Sequence, residues 1–284
     1  MSTASPHRHN AYLVLAHEDV DMLNILTQRL VNTGFVYIHL DRLSKIQIAQ
    51  VTPHPKVKVT KQIKVNWGGY SIVEATRLLA DQAIADGATR LTLLSGLSYP
   101  IVSDEKLLEF AQSDLEYVDA GEVDLATQTK PFVRRFTSRH FSFHLKQNLC
   151  GRIIRRLSRE FWAKMPRIEP ITELAPLKLT LESQWWSVKG ETYAKSMRLL
   201  TNNPSIENYF RKIECSDESF FGTIFHYVAK DHDEHGTTFV KWMNRGGPKA
   251  VGPSELAAAR VINHYLFIGK ITVADYKALQ AALK

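Results

Sequence analysis

Apolar residues crowd the run AYLVLAH (Ala11 to His17), thin to one face over Met22, Leu23, Ile25, Leu26 and Leu30, then crowd again in FVYIHLD (Phe35 to Asp41). A continuous run, an amphipathic stretch and a second run within about 30 residues predict strand, helix and parallel strand, the βαβ unit. The pattern goes on. VKVT (Val57 to Thr60) reads as a third strand, WGGYSIVEATRLLADQAIA as a glycine turn opening a helix, and RLTLLSG (Arg90 to Gly96) as a buried central strand. LEYVDA and LTLESQWWSV each read as one further strand, and the last third of the chain is mostly helical in pattern. Strands alternating with helices predict an α/β fold: a Rossmann-like, mostly parallel sheet flanked by helices. No linker tract or internal repeat divides the 284 residues, so the expectation is a single domain over 11–284 behind a polar, frayed stretch, MSTASPHRHN, over 1–10.

Ligands in such sheets bind beyond the carboxyl ends of the strands, where strand order reverses. Those ends are His17, Asp41, Ser95–Gly96 and Asp119. Asp41 would suit a ribose, yet the first strand runs into AHEDVDM in place of G-x-G-x-x-G, which argues against an NAD-type site. A second acidic feature is IECSDESFFGTIF (Ile213 to Phe225), where Asp217 and Glu218 stand before an apolar run. SDE reads as a helix start with Ser216 or Asp217 as N-cap and Glu218 in the first turn. A helix N-terminus favours the ionised carboxylate that a general base needs, although acids there also simply satisfy free amides. The D-x-D strings DVD (Asp19 to Asp21) and DHD (Asp231 to Asp233) fall at a helix start and in a polar loop, so no metal site is expected.

Charge sharpens the partner class. Lys+Arg 36 against Asp+Glu 29 gives +7, concentrated between Arg134 and Arg167. There Leu145, Leu149, Ile153, Leu157, Phe161 and Met165 recur every four residues, with Ile154 and Trp162 beside them and Lys146, Arg152, Arg155, Arg156, Arg159 and Lys164 elsewhere around the wheel. This amphipathic cationic helix over 145–165 has three readings: peripheral contact with an anionic membrane, packing on its own sheet, or binding a partner. No nucleic-acid motif accompanies the charge, and a non-enzymatic polyanion-binding module remains the alternative of a different class. No apolar run approaches the roughly 18–20 residues that span a bilayer. With only Cys150 and Cys215, far apart and read as free thiols, the expected location is cytoplasmic, or peripheral at the inner face of the cell membrane.

Six blocks in order, AYLVLAHED, YIHLDRLS, WGGYSIVEA, LLSGLSYPI, SQWWSV and DESFFGTI, resemble the core-2/I-branching β-1,6-N-acetylglucosaminyltransferases and peptide O-xylosyltransferases of glycosyltransferase family 14. The resemblance spans roughly His9 to Lys270 and looks like that of a bacterial-type member. It implies a GT-A-like fold and an inverting, metal-independent transfer of a sugar from a UDP donor to a hydroxyl of a glycan or lipid-linked glycan. N-acetylglucosamine is the first donor sugar to expect and xylose the second, with no cofactor. Carried over residue by residue, it implies Glu218 as catalytic base. His17, Asp41, Trp67, Gly68 and Ser95 fall at the donor cleft. Lys270, with Lys249 or its competitor Arg245, would sit on the diphosphate in place of a metal; lysine gives charge there without arginine's bidentate fork. On the acceptor side stand Arg135, Arg139, Gln184, Trp185, Trp186 and Asp217. Ser98 also belongs to that set, where the family commonly has an aspartate, and this departure bears on which sugar is handled.

Overall fold

β1 (Asn10–Ala16) lies between β2 (Phe35–Leu40) and β4 (Arg90–Ser95), parallel to both, in a computed structural model of the chain. The structure describes residues 9–66, 68–140, 149–169, 171, 177–229, 232–233, 236–241, 251–262 and 264–283. The alternation within β1 explains its place. Ala11 and Leu13 face one apolar layer with Val73, Leu79 and Ala80 of α2 (Ser71–Ala85), while Tyr12 and Val14 face a second with Leu23, Leu26 and Leu30 of α1 (Val20–Leu30). A strand covered on both faces is a continuous apolar run, as a parallel sheet requires, and each fully buried aliphatic side chain contributes about 1.5–3 kcal/mol.

β3 (Val57–Thr60) extends the sheet beside β2. Beyond β4 it turns mixed. β9 (Ser187–Lys189) runs antiparallel to β4, followed by β6 (Glu116–Tyr117) and β10 (His232–Asp233), giving the order β10-β6-β9-β4-β1-β2-β3. Two small sheets stand apart: β11 (Thr238–Val240), β12 (Phe267–Gly269) and β5 (Tyr99–Pro100), and the pair β7 (Ala120–Glu122) with β8 (Thr180–Glu182). Completing the described helices are α3 (Asp104–Gln112), α4 (Lys130–Thr137), α5 (Leu149–Ala163), α6 (Gly190–Asn202), α7 (Pro204–Phe210), α8 (Phe220–Val228), α9 (Pro253–Val261) and α10 (Val273–Leu283). The fold is therefore the expected α/β class, a central and mostly parallel sheet flanked by helices.

Three local expectations are corrected. His9 and Asn10 do not fray: the His9 ring stacks on Phe35 at 4.0 Å, its carbonyl accepts from the Thr89 amide at 2.9 Å, and Asn10 opens β1. LEYVDA is not one strand but parts of β6 and β7, which join different sheets. LTLESQWWSV divides likewise into β8 and β9, which join different sheets; Trp186, whose carbonyl accepts from Leu93 N at 2.9 Å, packs its ring between Phe221 and Phe225 at centroid distances of 5.0 and 4.9 Å.

Candidate active site

The parallel strands end level. Ala16 pairs with Leu40 and Leu15 with Ser95, so the residues that follow emerge along one edge. Order reverses between β1 and β4, which makes this edge the ligand-binding crevice of the architecture. His17 emerges from β1 with its side chain 60% exposed and Nε2 3.4 Å from Glu18 Oε1. Asp41 emerges from β2; its amide donates to the Ala16 carbonyl at 3.0 Å, and its Oδ1 accepts from the amides of Leu43 and Val65, each at 3.1 Å. Asp41 thus shapes a turn and pins the 61–66 segment across the strand ends. Gly96 follows β4 and donates to the Leu15 carbonyl at 2.9 Å; a Cβ on it would come within 2.8 Å of Ala16 Cβ.

Lys270 reaches the same edge from the far end of the chain. β12 pairs with β5, a hydrogen bond from Ile271 N to Leu97 O (2.7 Å) holds the strand exit, and Gly269 lies against Ser98, whose Oγ is 3.6 Å from the place a Cβ would take. Val273 N then donates to Asp19 Oδ2 at 3.0 Å, while Asp19 Oδ1 accepts from Met22 N at 3.0 Å. Both oxygens of the DVD acid therefore serve as caps. The Lys270 side chain is partly buried.

The acids of the SDE motif are joined to this edge through Gly68. In the left-handed conformation, at φ 73°, Gly68 accepts from Cys215 N at 2.9 Å, and Cys215 is itself left-handed at φ 52°. The chain next forms a tight 3-10 turn, Ser216–Glu218, and α8 begins only at Phe220 with Ser219 as its N-cap residue. This corrects the expected helix start: neither Ser216 nor Asp217 is the cap, and Glu218 stands before the helix rather than in its first turn. The Ser219 hydroxyl donates to the Thr180 carbonyl (2.7 Å), and Ser219 N closes the turn on Ser216 O.

What holds Glu218 is Arg135. Arg135 Nη2 lies 2.5 Å from Glu218 Oε2, with the two side chains 25% and 34% exposed. Burial opposes the guanidinium charge, yet bonds to Glu218 and Cys215 keep Arg135 above the ordinary arginine range. Asp217 lives differently. It is buried, its Oδ1 has no hydrogen-bond partner, and burial followed by the Glu218 charge raises its pKa to about 7. Burial and those two carboxylates likewise push the Cys215 thiol up to about 12. The turn therefore presents one carboxyl group oriented by arginine next to one, Asp217, held near its midpoint at neutral pH.

Of the acceptor-side residues, Arg139 is exposed, Gln184 is partly buried and Trp185 is 9% exposed. Trp186 is fully buried among aromatic rings and offers no face to a sugar. Ser98 is also buried, its Oγ accepting from Ser95 N at 3.1 Å, so it fixes the turn after β4 instead of facing a ligand. Trp67, Arg245 and Lys249 lie outside the described residues. The Arg135–Glu218 pair is invisible in the sequence, where Arg135 reads as an acceptor contact; 83 residues separate the partners and no local period links them.

A family model described as Core-2/I-Branching enzyme matches residues 10–263. No curated protein matches the chain. Among solved structures, a 4-diphosphocytidyl-2C-methyl-D-erythritol synthase is 12% identical with a TM-score of 0.35, covering 68% of this chain and 80% of that one. A protein described as a putative glucose-1-phosphate thymidylyltransferase from Bacillus anthracis, in complex with sucrose, is 14% identical with a TM-score of 0.29, covering 69% and 78%. At such scores these two likenesses carry no argument.

Proposed function

This chain belongs to the core-2/I-branching enzyme family and is a glycosyltransferase; from that premise we propose that it moves a sugar from a UDP donor to a glycan hydroxyl, with inversion and without a metal. Family membership sets aside the NAD-type and non-enzymatic alternatives. The observation that carries the mechanism is the Glu218 carboxylate, bound through Oε2 to Arg135 on a turn tied to the carboxyl edge of the sheet. Oε1 is then the atom that receives the acceptor proton. As that proton leaves, the acceptor oxygen attacks the anomeric carbon from the face opposite UDP, the bond from that carbon to the diphosphate oxygen breaks, and its electron pair departs with UDP.

Negative charge builds on the diphosphate, and Lys270 beside the turn after β4 is the cation assigned to it, with Lys249 as second ligand and Arg245 its competitor. Asp41 Oδ2 is assigned to the nucleoside, with His17, Ser95, Gly68 and Trp67 around it. Arg139, Gln184, Trp185 and Asp217 border the acceptor. UDP-N-acetylglucosamine is the first donor to test and UDP-xylose the second. The decisive variant is Glu218→Gln, which keeps shape and loses basicity: kcat should fall by about 10²–10⁴ with KM little changed. Near-normal turnover would refute the assignment. Activity abolished by a chelator and restored by manganese would refute the metal-free account.

A further inference from the structure

Helix α5 carries its apolar residues on the outside. Ile153, Ile154, Leu157, Phe161 and, two residues past its end, Met165 are 49%, 46%, 64%, 57% and 41% exposed. At about 100° per residue these five positions fall within an arc of about 120°, so they form one continuous stripe. Scattered exposed leucines need no explanation, whereas a stripe of five large apolar side chains on one helix face does. The stripe does not pack on the sheet, which removes one of the readings its sequence left open.

Charge selects among the remaining occupants. Between Leu149 and Met165 there are five basic residues, Arg152, Arg155, Arg156, Arg159 and Lys164, and one acid, Glu160. Arg156 and Lys164 are exposed, as the stripe is. Apolar area beside excess positive charge fits a bilayer surface bearing anionic headgroups, where acyl boundary and phosphate lie within one helix diameter of each other. A nucleic acid would use the charge and leave the stripe wet; a second copy of this chain would bring like charge to like charge. Among the described residues no helix is long and apolar enough to cross a membrane, so such a helix lies on the surface.

The attachment of α5 adds a consequence. Ser138 N donates to Arg134 O, His140 N to Lys212 O, and on the return Ile168 N donates to Thr137 O at 2.9 Å. Both ends of the excursion are thus tied to the C-terminal end of α4, the helix that supplies Arg135 to Glu218. We propose that α5 is an interfacial helix that docks this protein on an anionic bilayer through Ile153, Leu157 and Phe161, and so turns the Arg135–Glu218 side of the site toward the membrane surface. Docking does not depend on the transferase reading. Only the use of docking, presentation of a membrane-anchored acceptor, rests on it.

The test is flotation of the full chain with vesicles of phosphatidylcholine alone or with about 30% phosphatidylglycerol, at low salt and at about 0.5 M salt, where screening weakens the charge contribution. Wild type should float with the anionic vesicles, weakly with neutral ones, and less at high salt; the L157E/F161E variant should partition about tenfold more weakly at an unchanged melting temperature. Hydrogen exchange on wild type gives a readout independent of that variant's folding: vesicles should protect amides within 149–165. No flotation with anionic vesicles, equal flotation with neutral ones, or protection elsewhere in the chain would overturn the proposal. So would a wild-type dimer that the variant dissociates while vesicle binding is retained, because the occupant would then be a second copy. Vesicle binding with Glu218→Gln inactive supports both readings; binding with Glu218→Gln fully active leaves docking standing and removes the transferase mechanism.

Discussion

Asp217 and Glu218 are neighbours in different surroundings. Glu218 meets an arginine, while Asp217 meets apolar surroundings and its neighbour's negative charge. For Asp217 the sign of the linkage is unusual for an acid. Its folded pKa, about 7, lies above its ordinary 3.8, so the folded chain holds a proton that the unfolded chain has released. The associated stability is complete below about pH 3.8 and is lost as pH rises toward 7. Asp217→Asn has no proton to lose. Between about pH 5 and 8 wild type should therefore lose about 2–3 kcal/mol relative to this variant in paired urea titrations, since one extra bound proton changes stability by about 1.4 kcal/mol for each tenfold change in proton concentration. Parallel curves would mean that Asp217 ionises freely in the fold.

Two glycines position the site's elements by different physics. Gly68 needs its positive φ: a Cβ there would find only ordinary contacts, 3.6 Å to Cys215 Sγ and 4.0 Å to His140 Nε2, so Gly68→Ala should cost about 1–2 kcal/mol in backbone strain. Gly96 needs its missing Cβ, which would stand 2.8 Å from that of Ala16; Gly96→Ala should cost about 1–3 kcal/mol through displacement of β4 from β1. Asparagine separates the causes in denaturant melts. It tolerates the left-handed region, so Gly68→Asn should recover part of the alanine loss, whereas Gly96→Asn should be worse than alanine. The same distinction marks what the sequence discloses about elements. Apolar runs locate β1, β2, β3 and β4 to within a residue at each end; for β1, β2 and β4 this is because strands buried on both faces have little else to be, whereas β3 is a half-exposed edge strand marked by its alternation. The pattern fails at Val118 and at Trp185–Trp186, where apolar residues are buried in the core although they lie between strands that join different sheets. It fails again at Cys215, a left-handed residue that is not glycine, whose turn delays α8 past Glu218.

On the mechanism proposed above, the work of a sugar transfer is divided between the parallel half of the molecule and its last third. Strand ends of β1, β2 and β4 form the crevice, and β12 returns from near the C-terminus to pair with β5 and deliver Lys270 there. Pairing between strands so distant leaves no periodic trace in the sequence, and the six family blocks end before β12. The return of β12 also predicts how the nucleotide should bind. A lysine acting on the diphosphate adds affinity for UDP over UMP, and needs no divalent ion to do so. At about one hundred times its dissociation constant, UDP binding to the folded state alone is worth about 2.7 kcal/mol, which for a chain of this size raises the melting temperature by about 4–5 °C. The shift should survive EDTA, should exceed that of UMP at equal concentration, and in Lys270→Ala should fall part of the way to the UMP value, the second cation remaining, while the UMP shift itself stays unchanged. An equal loss for both nucleotides would place Lys270 at the nucleoside or in the fold, and a UDP shift that appears only with manganese would return the diphosphate to a metal.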